Sequence, residues 1–239
     1  MADSVYTRIL LKLSGESFCK PGGFGIEGEA IKSIAERICR IRKIVPQLAI
    51  VVGGGNFLRG AAFSQTSDIP RTTADYMGML ATVINASALQ ETLEKLGQPT
   101  RVLSAIEVSA ICEPFIRRRC IRHLEKGRVT ILAGGTGNPF FSTDTCAALR
   151  AAELGVDVMI KATKVDGVYT DDPMKNPDAE FLEQMSYEDV LHKNLKVMDP
   201  AAVSLCRENQ IPIIVLNIFK EGNITKALYG ERVGTRIAE

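Results

Sequence analysis

Short, mainly apolar runs alternate along the chain with longer segments whose apolar positions recur every three or four residues. Runs of the first kind fall at residues 7–13 (TRILLKL), 48–52, 101–104, 129–132, 156–160 and 211–217. They are rich in Val, Ile and Leu and predict strands buried on both faces. From Glu29 onward, Ala30, Ile34, Ile38, Ile41 and Val45 keep helical spacing with Arg37, Arg40 and Arg42 interleaved, which predicts an amphipathic helix over 29–45. Residues 71–96 predict a long helix closed by Gly97 and Pro99, and 113–126 another. An alanine-rich helix follows Ser142, and residues 187–192 and 200–208 predict two short ones. Residues 234–237 add an edge strand. Strands alternating with helices imply a three-layer α/β/α sandwich with a mainly parallel central sheet. No internal repeat, low-complexity segment or linker interrupts it, so 1–239 is expected to be a single domain.

The chemistry gathers where strands end. After the strand at 129–132 come Gly134, Gly135, Thr136 and Gly137, then Asn138-Pro139 and the cap-forming residues Ser142, Thr143, Asp144 and Thr145. Strand, glycine turn, hydroxyl-rich loop and helix N-terminus together present N–H groups and a helix dipole to an anion. An ordinary connection rarely needs so many glycines and hydroxyls. The first strand carries Lys12 at its end, before Ser14 and Gly15. A lysine there either meets an anion or reaches past the strand end into water. The second strand runs into Gly53, Gly54 and Gly55, with Arg59 a few residues on, and a guanidinium is well shaped for phosphate oxygens. Two glycine-rich strand ends plus Lys12 imply two phosphate-bearing ligands, or one phosphate passing between them. Gly23 to Gly28 spells G-x-G-x-x-G but begins well after the first strand, and no acidic residue ends the second, so no dinucleotide fingerprint is read there. Asp75 lies in the first turns of the long helix, where favourable interaction with the helix dipole is the simplest role.

Composition narrows the classes further. At 239 residues the chain can bury a sizeable core, and a formal net charge of +1 argues against a general nucleic-acid binder. The run Arg117, Arg118, Arg119, Arg122, His123 reads first as a solvated helix face. No apolar run approaches the roughly 18 residues of a membrane span, and no signal peptide is read at the N-terminus, so a cytoplasmic protein is expected. The six cysteines form no CxxC pair, and the two histidines stand in no metal-ligand spacing. Chemistry here falls to glycine, lysine, arginine, aspartate and hydroxyl groups.

Six stretches carry a resemblance: KLSGE from Lys12, VVGGGNFLRG from Val51, DYMGMLATVIN from Asp75, GTGNPFFSTD from Gly135, KATKVDGVYTDDP from Lys161 and KVMDPAA from Lys196. In this order they resemble the bacterial uridylate kinases of the amino-acid-kinase superfamily. The resemblance implies transfer of the γ-phosphoryl group of ATP to UMP in pyrimidine nucleotide biosynthesis, with Lys12, Arg59 and Asp144 catalytic and Asp144 orienting lysines about the transferred group. It implies ATP on Lys12, Ser14, Gly15, Gly55, Arg59, Thr163, Tyr169 and Asp172. UMP would lie on Gly54, Asp75, Thr136, Gly137, Asn138, Pro139, Phe140, Phe141, Ser142 and Thr143. Mg²⁺ would arrive as Mg-ATP, with no metal site of the protein's own. A homohexamer is also implied, with activation by GTP and inhibition by UTP. The GTP effect is linked to the loop Lys20, Pro21, Gly22, Gly23, Phe24, Gly25, which reads KPG where some relatives carry an acidic residue. Because the acceptor is already an anion, such a reaction needs charge screening and in-line geometry rather than a base. Two other readings stand beside it: a superfamily kinase acting on a carboxylate or small phosphate, and a non-enzymatic ATP- and oxyanion-binding storage protein.

Overall fold

The computed structural model describes residues 4–171, 176, 178–193, 195 and 197–239. In chain order the elements are β1 (Arg8–Leu13), α1 (Gly28–Ile44), β2 (Gln47–Val52), α2 (Gly60–Thr66), α3 (Arg71–Lys95), β3 (Thr100–Ser104), β4 (Glu113–Pro114), α4 (Arg117–Glu125), β5 (Val129–Ala133) and α5 (Thr143–Leu154). They continue with β6 (Val158–Thr163), β7 (Val168–Tyr169), β8 (Phe181–Leu182), β9 (Gln184–Met185), α6 (Tyr187–His192), α7 (Pro200–Glu208), β10 (Ile213–Asn217), α8 (Asn223–Leu228) and β11 (Thr235–Ile237). The main sheet runs β4-β3-β5-β2-β1-β6-β10-β11-β9, and β7 pairs with β8 in a small antiparallel sheet. Every pairing in the main sheet is parallel except β10 with β11.

Helices cover both faces of the sheet. Ile9, Leu11 and Leu13 of β1 point to the face packed by α1, α3 and α8, while Leu10 joins the opposite core with α4, α5 and α7. This two-sided burial is why the strands read as unbroken apolar runs rather than alternating ones. The chain leaves β1 toward β2 on one side, and β6 joins β1 on the other. A parallel sheet that reverses its winding this way opens a crevice at the carboxyl ends of its central strands.

Several boundaries differ from expectation. The helix expected from residue 113 begins at Arg117, because Pro114 biases Glu113 toward extended backbone and Glu113–Pro114 pairs with β3 at the sheet edge. The strand expected at 156–160 lies at Val158–Thr163 and carries Lys161 inside it. Residues 235–237 lie between β10 and β9 rather than at the edge. The pattern did not mark helices α2 and α8, which at seven and six residues are too short to show a helical period. His123 is buried against Glu113 and Arg128 instead of lying on a solvated face. All six cysteines are free. Burial pushes the thiols of Cys120 and Cys146 up to about 11 and that of Cys206 to about 12, so these three supply no thiolate at neutral pH.

Candidate active site

The parallel pairing of β1 with β6 sets Lys12 directly beside Lys161. Paired residues on neighbouring strands project to the same face, so two ammonium groups are forced together. Asp144, in the first turn of α5, answers both. Its Oδ1 lies 2.6 Å from Lys12 Nζ and its Oδ2 accepts from Lys161 Nζ at 2.7 Å. The Lys12 contact is an ion pair. Lys161 Nζ also donates to the Val197 carbonyl. Burial alone would raise the Asp144 carboxyl, but Lys12 and Lys161 outweigh it and hold it below the usual carboxylate range. Burial lowers the Lys161 ammonium; Asp144 offsets part of that shift and Lys12 adds to it. The cluster carries two positive charges against one negative, a net attraction for an anion.

The sequence places Asp144 by a simple device. Ser142 caps α5, accepting from the N–H groups of Asp144 and Thr145 at 3.0 and 3.2 Å. Asp199 ties this turn to the next helix: it accepts from Ser142 Oγ, from Thr145 Oγ1 at 2.8 Å and from the Ala202 N–H at 2.9 Å as the cap of α7.

Around the cluster opens a cleft of about 640 Å³ at the crevice between the central strand ends. One wall is built from the ends of β1 and β2, which approach each other more closely than side chains allow. A Cβ on Gly15 would lie 2.5 Å from the Gly55 nitrogen, and one on Gly54 would lie 2.6 Å from the Gly78 carbonyl oxygen in α3. The opposite wall is the loop after β5. There Phe140 holds a left-handed backbone, φ +71°, uncommon for a bulky residue. Asp75 secures it, Oδ2 accepting the Phe140 N–H at 2.8 Å while Arg71 Nε donates to both carboxylate oxygens at 2.8 and 2.9 Å. The Arg71 guanidinium also lies over the Phe140 ring at 5.6 Å. Asp75 therefore does not cap its helix; its carboxylate faces the cleft.

Of the predicted site residues, Lys12, Ser14, Gly15, Gly54, Gly55, Arg59, Asp75, Phe140, Phe141, Ser142, Thr143 and Asp144 line this one cleft. Arg59 stands exposed at its rim, paired with Glu16. Thr136, Gly137, Asn138 and Pro139 belong to the same loop but turn onto themselves, with Thr136 Oγ1 and Asn138 exchanging hydrogen bonds. Thr163 and Tyr169 also stand apart from the lining: Thr163 Oγ1 donates to the carbonyls of Val165 and Leu216, and Tyr169 packs edge-on against Phe181 at 5.4 Å. Asp172 lies outside the described residues. The loop Lys20–Gly25 sits behind the β2 glycines, with Gly25 bonded to Asn56. Lys161, Arg71, Met79 and Thr82 line the cleft without having been singled out as site residues. Lys161 opened a quoted motif, and the parallel pairing with β1 is the signal that would have marked it.

Among the described residues no group of three or more His, Cys, Asp or Glu side chains is placed to hold a metal ion, and both oxygens of Asp144 are occupied by lysines.

A profile of the amino acid kinase family matches residues 7–217. The crystal structure of UMP kinase from Bacillus anthracis superposes with a TM-score of 0.92 at 37% identity, covering 98% of this chain and 96% of that one. UMP kinase from Ureaplasma parvum gives 0.90 at 38% identity with both chains fully covered. Uridylate kinase from Archaeoglobus fulgidus gives 0.72 at 28% identity, covering 97% of this chain and all of that one.

Proposed function

The chain belongs to the amino acid kinase family, and on that premise we propose that it is a UMP kinase, transferring the γ-phosphoryl group of ATP to UMP to give UDP and ADP. The observation that carries the reading is the Lys12–Asp144–Lys161 cluster at the foot of a cleft with a glycine wall on one side and an aromatic loop on the other. ATP would lie along Lys12, Ser14, Gly15, Gly55 and Arg59, with Thr163, Tyr169 and Asp172 toward its nucleoside. UMP would lie against Gly54, Asp75 and the loop from Thr136 to Thr143, where Phe140 and Phe141 offer exposed rings to a flat base.

The residues then have distinct tasks. Lys12 and Lys161 neutralise charge that spreads over the oxygens of the moving phosphoryl group, and Asp144 holds both ammonium groups in place without taking a proton. Asp75, which accepts from Arg71 and from the Phe140 N–H, positions the acceptor loop and offers its remaining acceptor capacity to a ribose hydroxyl. Mg²⁺ enters as Mg-ATP and adds charge screening to the β- and γ-phosphates. No general base is required, since the UMP phosphate is an anion at neutral pH.

We take residues 1–239 as one working domain, since β1, α3, α5 and β6 bring Lys12, Asp75, Asp144 and Lys161 together in one cleft. Residues Tyr76, Met77, Leu80 and Ile84 stand exposed on the outer side of α3, an apolar stripe suited to a second copy of the chain. A homohexamer, GTP activation through Lys20–Gly25, UTP inhibition and a cytoplasmic location follow from the family resemblance. No helix among the described residues is long and apolar enough to cross a membrane. The storage-protein and carboxylate-kinase readings are not favoured beside relatives that are UMP kinases. A coupled assay of ADP release over UMP, dUMP, CMP and carboxylate acceptors tests the assignment. UMP is expected to be the best acceptor by a wide margin, and turnover of a carboxylate in its place would overturn it.

A further inference from the structure

Helix α3 presents two buried polar side chains, Thr82 and Asn85, toward the sheet. Thr82 Oγ1 accepts the Gly134 N–H at 2.7 Å, holding the glycine turn after β5. Asn85, with no exposed surface, does the equivalent for the turn after β2. Its Nδ2 donates to the Gly53 carbonyl at 2.8 Å and to Asn56 Oδ1 at 2.7 Å, and its Oδ1 accepts from Asn56 Nδ2 at 3.0 Å. Asn56 Nδ2 uses its second hydrogen on the Gly25 carbonyl at 2.7 Å. All four amide hydrogens of the pair are engaged. Two apolar residues would fill the same space without the cost of desolvating two amides, but they could not hold the Gly53 carbonyl.

We propose that Asn85 is a positioning residue for phosphate binding: it fixes the Gly53–Gly54 peptide so that the Gly54 N–H faces the cleft. No cis peptide occurs among the described residues, and in a trans peptide the C=O and N–H point in opposite directions. With the Gly53 carbonyl pinned to α3 by Asn85, the Gly54 N–H is turned away from that helix, toward the cleft that Gly53, Gly54 and Gly55 line. Neither Gly54 N–H nor Gly55 N–H has an acceptor among the described residues. A peptide between two glycines has no Cβ on either side to fix its plane. Without Asn85 it is free to flip, and a flipped peptide presents a carbonyl oxygen to a phosphate where an N–H should stand. The inference rests on the cleft being the UMP site.

Its test uses the full chain with Asn85→Asp, which keeps the shape and still accepts from Asn56 but sets an oxygen against the Gly53 carbonyl. Binding of UMP and of uridine is measured by competition, together with kcat/KM for UMP and the melting temperature. Affinity for UMP is expected to fall by about 10-fold or more, the scale of one hydrogen bond to a charged group, while uridine, which has no phosphate, binds as before. Asn56→Asp, which still accepts from Asn85 and so leaves the Asn85–Gly53 bond in place, is expected to lose much less. Should Asn85→Asp not fold, Asn85→Ser is expected to show the same selective loss. Equal weakening of UMP and uridine would reduce Asn85 to a packing role, and unchanged UMP binding would also overturn the proposal. Wild-type protein that does not turn over UMP at all would instead remove the functional reading beneath it.

Discussion

Replacing Asp144 by Asn removes one negative charge and changes little else in shape. In the wild-type protein that charge stands 2.6 Å from Lys12 and 2.7 Å from Lys161, two lysines that the pairing of β1 with β6 forces side by side. With a neutral amide between them the two ammonium groups repel, and each is free to swing out of line. Loss of one preorganised charge-stabilising element typically costs about 10²–10³ in kcat, or roughly 2.7–4 kcal/mol, and here one substitution loosens two. A fall in kcat of at least about 100-fold is therefore expected in the coupled ADP-release assay. The pH profile gives an independent readout. Burial already lowers the Lys161 ammonium and Asp144 is the main group raising it, so its removal lowers Lys161 further. Activity on the alkaline side should then decline at a lower pH in Asp144→Asn than in the wild type. On the acid side the wild-type limb should reflect the UMP phosphate, near pH 6, because Asp144 is held below the usual carboxylate range and stays ionised there. Linkage runs the same way: the stabilising charge of Asp144 is present above the ordinary carboxylate pKa and is lost only as pH falls through its lowered folded value. A variant with near-normal kcat, or an alkaline limb that does not move, would refute the role given to the cluster.

Lys12→Ala should lower kcat by at least about 100-fold while UMP still binds, since the acceptor loop lies on the other wall; near-normal turnover in steady-state assays would remove Lys12 from the reaction. Asp75→Asn should weaken UMP by about 10- to 150-fold and leave ATP binding nearly unchanged, through loss of charge-assisted bonds to Arg71 and to ribose hydroxyls. If the 2′-hydroxyl is among its donors, discrimination between UMP and dUMP should shrink in the same variant. Leu80→Glu with Ile84→Glu places two charges in the exposed stripe of α3 and should reduce the assembly size seen by light scattering. An unchanged mass would place the subunit contact elsewhere.

Much of the molecule follows from local sequence because its causes are local. Strands buried on both faces must be mainly apolar, as at residues 8–13 and 129–133, so they are visible as runs. Ser142 announces the start of α5 because a side chain that caps an N-terminus acts within three residues of itself. The glycines at 53–55 and 134–137 mark sharp strand ends for the same reason, and Asp144 and Lys12 stand beside them. The short Glu113–Pro114 strand was missed because two residues show no period of their own and its pairing with β3 forms only once the intervening loop folds back.

What the tertiary structure alone decided are the pairings across distance. Lys161 looks like a lysine at a strand's end until the β1–β6 register sets it against Lys12 and Asp144 binds both. Asp75 looks like a helix-dipole residue until the loop after β5 folds back and offers it the Phe140 N–H, 65 positions away. Asn56 and Asn85 lie in two separate quoted stretches and nothing local relates one to the other; only the packing of α3 behind β2 turns them into a closed pair holding Gly53. Sequence pattern reports what each segment needs for its own burial and hydrogen bonding. Which charges meet is set by strand order and register, a property of the whole sheet that no single segment encodes.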